Sequence, residues 1–216
     1  MSVDIEAKKQ QLQQLRASVR QLEAEIAAAS GGSTSDWPPK DFYAAYYMMT
    51  GGILGIFGAI VSLLVNVVAA PVAGKSSLEL IKVYLTFPVG ERALALTAES
   101  GGLILALGCC LYIGTGMLIG IPIYYLMVRF CGKDPSLIIR LVWGTVLSLA
   151  IWAIGFYGIL SWLQPMLFGG NWITDPEVMP AWVAAGTHVV FGWTLAVLYP
   201  WGLFTAYAPP VEESAA

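Results

Sequence analysis

The chain is 216 residues long, 57% hydrophobic and only 12% charged, with a formal net charge of −3; an ordinary soluble domain carries roughly 25% charged residues. A soluble fold of this size cannot hide so much apolar surface, so lipid is the expected solvent. The small negative balance excludes the basic patch that a nucleic-acid partner requires. Three cysteines, Cys109, Cys110 and Cys131, are odd in number and set in or beside apolar runs. They form no disulfide framework and are expected as small packing residues.

From Asp4 to Ala29 the pattern predicts a helix. Ile5, Leu12, Val19 and Ile26 recur every seven residues, Leu15 and Leu22 fall between them, and Gln, Lys, Arg and Glu fill the rest. This is a coiled-coil seam of about three heptads, spoiled at Lys8. The stripe is narrow and lacks aromatic anchors, which suits a partner helix better than a lipid surface. A linker follows over residues 31–41, flexible through Gly31 and Gly32 and stiffened by Pro38 and Pro39. The polar N-terminus holds no cleavable leader, so the first membrane helix is the expected insertion signal.

Four apolar runs come next, at 42–68, 103–128, 137–163 and 182–203. Each exceeds the roughly 20 residues needed to cross a hydrocarbon core of about 30 Å. Interfacial aromatics mark their ends: Tyr43, Tyr46 and Tyr47 on the first, Tyr124 and Tyr125 on the second, Trp162 on the third, and Trp182 and Trp201 on the fourth. The expected fold is an all-α integral membrane protein. A heptad helix (1–30) and linker precede a four-helix transmembrane domain (42–205) and a short tail (206–216). Eight Lys and Arg residues fall in the N-terminal arm and second connection, against three in the other two connections. That asymmetry puts both termini in the cytoplasm of a bacterial-type inner membrane.

The first connection is too long for a bare turn. Ser76 and Glu79 have capping-box spacing and open a stretch, Leu78 to Phe87, expected as a short helix lying in the outer interface. Pro88 and Gly90 should break it, and Glu91 to Ser100 should then extend the second membrane helix outward. Pro122 and Pro200 are expected to kink the second and fourth spans. The third connection, Gln164 to Pro180, reads as an ordered irregular loop.

Small residues punctuate the spans. Gly51, Gly55 and Ala59 follow small-xxx-small spacing on the first, as do Gly116 and Gly120 on the second, which lets helix backbones approach closely in lipid. Packing within the bundle is the first expectation, and contact with other membrane subunits the second.

Intramembrane polar residues are the place to look for chemistry. Asn66, Glu99, Gln164, Thr187 and the single histidine, His188, all fall toward one side. This permits a polar cluster centred on His188 that could meet a quinone head group, or could simply be a satisfied interhelical network. One histidine cannot supply bis-histidine haem ligation, and no haem attachment motif, metal-ligand spacing, phosphate loop or nucleophile elbow is present. No catalytic residue, metal or cofactor is therefore assigned to this chain alone. The expected role is a non-catalytic accessory or scaffolding subunit of a multi-subunit complex, most naturally a respiratory electron-transfer assembly. It would hold membrane partners through glycine-lined helices, a cytoplasmic partner through residues 5–26, and lipid around the rest. Two alternatives stand beside it: a small oligomeric transporter or channel, and a quinone-site subunit using His188.

Overall fold

The computed structural model describes residues 2–29, 43–72 and 74–205, in two units. In the first, α1 (Ser2–Ala29) is the helix that the heptad pattern predicts. Leu12, Leu15, Val19 and Leu22 are 43–58% exposed along it, so the apolar stripe stands uncovered. The Ile5 and Ile26 side chains, the linker and the tail lie outside the described residues.

The second unit, Tyr43–Thr205, is built on four helices long and apolar enough to cross a membrane: Ala44–Val72, Ala98–Cys131, Leu137–Phe168 and Ala181–Gly202. The chain is an all-α integral membrane protein. The first span is α2 (Ala44–Val72) and the second α4 (Ala98–Cys131). The third joins α5 (Leu137–Ala153) to α6 (Ser161–Phe168) through a π-helical turn, Ile154–Leu160. The fourth is α7 (Ala181–Leu198), finished by a 3₁₀ turn, Tyr199–Gly202. The side where α2 begins is called near, and the other far.

The spans pack in the order α2–α4–α5–α7, with α2 also against α7. Two seams bring backbones close. A Cβ on Gly51 would lie 2.7 Å from the Gly120 carbonyl oxygen, and one on Gly55 would meet the Gly116 carbonyl and lie 2.9 Å from Gly120 Cα. Ala59 faces Gly116 one turn further on. The predicted small-residue stripe is thus enclosed between α2 and α4, and is not a surface open to another subunit. A second seam joins α5 to α7, where a Cβ on Gly144 would sit 2.7 Å from the Gly192 carbonyl oxygen. Without a hydrophobic drive between helices in lipid, such close contact supplies the association energy.

On the near side, tyrosines tie the ends together. Tyr124 donates to the Tyr199 carbonyl at 2.8 Å, Tyr199 donates to the Gly132 carbonyl, and Tyr43 packs on Phe204 with ring centroids 4.5 Å apart. Arg140 donates to the Ala196 carbonyl at 3.3 Å and lies 6.0 Å from the Tyr199 ring centroid. Tyr124 and Tyr199 are fully buried, so each hydroxyl needs the partner it has.

The first connection departs from expectation. Its helix, α3, runs Glu79–Val89, but Leu78 is the cap residue and no side chain caps it. The Ser76–Glu79 box does not form: the Glu79 amide donates to the Ser76 backbone carbonyl at 2.9 Å, and the Glu79 carboxylate pairs with Lys82 at 3.3 Å. Ile81, Val83, Leu85 and Thr86 are all buried, and Ile81 and Leu85 close over Gly108 of α4. Pro88 fits inside the last turn, and Gly90, at φ 74°, ends the helix. Residues beyond it form a 3₁₀ turn (Gly90–Ala95), not an extension of the second span. Thr97 starts α4 afresh with a capping box to Ser100.

The α4 backbone leaves helical dihedrals at Gly101, where Leu96 folds over the bare Cα, while Pro122 lies exposed inside the helix with helical dihedrals. Pro200 is the second residue of the 3₁₀ turn that ends the fourth span, a first-turn position that proline tolerates. In the third connection the helix continues through Gln164 and Pro165 to Phe168, and only then gives way to a loop. The π turn has no counterpart in the predicted elements. An aromatic group (Trp152, Phe156, Tyr157) straddles its start, while Ser161 and Trp162 donate to the Tyr157 and Gly158 carbonyls at its end, each at 2.6 Å.

Candidate functional site

The far half of the bundle carries most of the buried polar residues. On α2, Ser62 and Asn66 are four apart and so share a face. The Ser62 hydroxyl meets the Tyr112 hydroxyl of α4 at 2.9 Å. Asn66 donates from Nδ2 to the Ser62 carbonyl at 2.8 Å and to Thr187 Oγ1 of α7 at 3.0 Å. Thr187 in turn donates to the Val183 carbonyl at 2.9 Å. On the α3 side, Tyr84 is hydrogen-bonded to Thr115 of α4 and packs edge-on to Tyr112. Burial pushes the Tyr84 hydroxyl above the usual phenol range, and its bond to Thr115 offsets part of that rise.

His188 is the next residue on α7. Its Nδ1 lies 2.8 Å from the Ala184 carbonyl, which can only accept, so Nδ1 carries a proton and donates it there. The ring lines a cavity of about 50 Å³ with Tyr112, Thr115, Gly116 and Thr187. This is room for one or two waters, each occupying about 30 Å³ in the liquid, and too little for a quinone ring.

A larger space lies on the other side of Thr187. This cleft, about 350 Å³, runs between α2 and α7 beneath the start of α3. Val65, Val83, Gly186 and Val190 make it apolar, Asn66 and Thr187 give it a polar wall, and Lys75, Glu79 and Trp182 stand at its rim. Its size and its few convergent polar groups are those of a ligand pocket.

The other two members of the predicted cluster lie elsewhere. Glu99 is exposed in the first turn of α4. Gln164 is fully buried in a separate polar contact: Nε2 donates to Thr86 Oγ1 at 3.0 Å, and Oε1 accepts from the Ile173 amide at 2.9 Å. It staples α3, α6 and the loop before α7 to one another. Sequence reading passed over Ser62, Tyr84, Thr86, Tyr112 and Thr115. The spacings of Ser62 with Asn66 and of Tyr112 with Thr115 put each pair on one helix face, and this was the available signal. Among the described residues no three His, Cys, Asp or Glu side chains converge on one point. No protein-family model, curated protein or solved structure matches this chain.

Proposed function

We propose that this chain is a non-catalytic accessory subunit that packs against other membrane proteins, with its termini in the cytoplasm of a bacterial-type inner membrane. The observation that carries the reading is the outer face of the third span. Gly155 and Gly158, three apart in the π turn, would each accept a Cβ without meeting any atom within 4 Å. Bare backbone facing lipid is a poor use of a membrane surface, whereas small residues let a neighbouring helix come close. The exposed Leu12, Leu15, Val19 and Leu22 stripe of α1 supports the same reading, as a seam for a partner helix in the aqueous phase. A respiratory electron-transfer assembly is the proposed home.

The test is co-purification of the tagged chain from its own membrane in mild detergent, with mass spectrometry of what accompanies it. The expected result is a fixed set of membrane proteins in constant ratio, electron-transfer subunits among them. Gly158→Ile should reduce that set while leaving the melting temperature of the purified chain unchanged. Recovery of the chain alone, as a homo-oligomer that conducts ions when reconstituted, would refute the proposal.

A further inference from the structure

The polar wall of the cleft between α2 and α7, made by Asn66 and Thr187, presents acceptors and no donors; the donors Lys75 and Trp182 stand at the rim. The Asn66 amide is fixed in orientation, because Nδ2 faces the Ser62 carbonyl, which can only accept. Both Nδ2 hydrogens are spent, on Ser62 and on Thr187, and among the described residues nothing donates to Oδ1. The Thr187 hydroxyl has given its proton to Val183, so its oxygen offers the cleft only a lone pair. Asn66 lies six residues inside Val72, so about 9 Å along the helix from its far end. Where the apolar walls of the cleft exclude water, an amide oxygen without a donor is costly. A ligand lowers that cost by bringing an O–H group into an otherwise apolar slot. Trp182 and Met179 line the same cleft and suit a flat, polarisable ring.

We infer that the cleft binds a hydroxyl-headed aromatic membrane lipid of the quinol class, seated with a phenolic O–H donating to Asn66 Oδ1. The oxidised quinone has the same skeleton and only carbonyls, so it gains nothing from this wall. The site is distinct from the water-sized cavity at His188, and no electron transfer is implied. The inference stands apart from the accessory-subunit reading, since a pocket on this chain binds whether or not partners are present.

The experiment uses the full chain in lipid nanodiscs under argon, titrated calorimetrically with a decyl-substituted benzoquinol and, separately, with its benzoquinone. The quinol should bind about tenfold more tightly, the worth of one net hydrogen bond. Asn66→Leu should erase the difference by weakening the quinol to the level of the quinone. Gly186→Phe provides a second variant that does not disturb Asn66. Gly186 lines the cleft, and a Cβ there meets nothing within 4 Å, so the ring should fill the slot without a clash and weaken both ligands at least tenfold. Equal affinity for the two forms, a preference that survives Asn66→Leu, unchanged binding in Gly186→Phe, or no binding of either form would overturn the inference.

Discussion

Gly55→Ala tests how the bundle is held together. The added methyl meets the Gly116 carbonyl and lies 2.9 Å from Gly120 Cα, backbone on backbone, so no side chain can turn aside. Relief requires α2 and α4 to separate along the seam, by about 1 Å if Cβ is to reach ordinary contact distance. Overpacking of this kind costs about 1–3 kcal/mol. Alanine's better helix propensity returns about 0.5–1 kcal/mol of that. Gly114→Ala is the matched control on α4, because its Cβ meets nothing within 4 Å. Thermal melting of both variants in one detergent should place Gly55→Ala several degrees below the parent, at about 2–4 °C per kcal/mol for this chain length. Gly114→Ala should melt at or slightly above the parent. If the two variants melt together, the seam is not load-sharing and the packing argument fails.

Gln164→Leu should destabilise by about 1–3 kcal/mol, because it leaves the buried Ile173 amide without an acceptor, while Thr86 keeps its bond to the Val83 carbonyl; faster proteolysis between Gly169 and Pro180 would show the loop released. Tyr84 supplies a pH dependence. Its folded value lies above the ordinary 10.0, so the unfolded chain loses the phenolic proton first. The resulting stabilisation is complete below about pH 10 and is lost as pH climbs through the folded value. Tyr84→Phe should therefore soften the fall of melting temperature above pH 10, and an unchanged alkaline slope would count against the buried phenol. Tyr199→Phe removes the hydrogen bond to the Gly132 carbonyl and should cost about 1 kcal/mol. Its signature is faster amide exchange in the turn between α4 and α5, with the far side unaffected.

The four spans were legible because hydropathy over some twenty residues is a strong signal, and the glycine spacing on α2 and α4 located the closest seam. What escaped depends on partners far apart in sequence. Ser76 and Glu79 have the right spacing for a cap, but α3 begins only at Glu79, whose amide donates to the Ser76 backbone carbonyl at 2.9 Å. Gln164 looked like the beginning of a loop, since nothing near it in sequence reveals Thr86, 78 positions away. Glu99 shares the far side with His188 yet points to solvent, because side alone does not fix the rotation of a helix. The π turn was invisible for a related reason: Ile154–Leu160 has the composition of any apolar helix, and its altered winding leaves no periodic trace over seven residues.

That altered winding sets the phase of the third span. Ser148 faces Gly192 of α7, and Gln164, sixteen positions on, faces Thr86 of α3. At about 100° per residue an unbroken α-helix would set these two side chains about 160° apart, on nearly opposite faces. A π turn absorbs one extra residue and winds the second half back by about 100°, which narrows the difference to about 60°. One continuous rod is thereby made to keep two separate appointments on the same side of the protein, one with a membrane helix and one with the connection that closes over it.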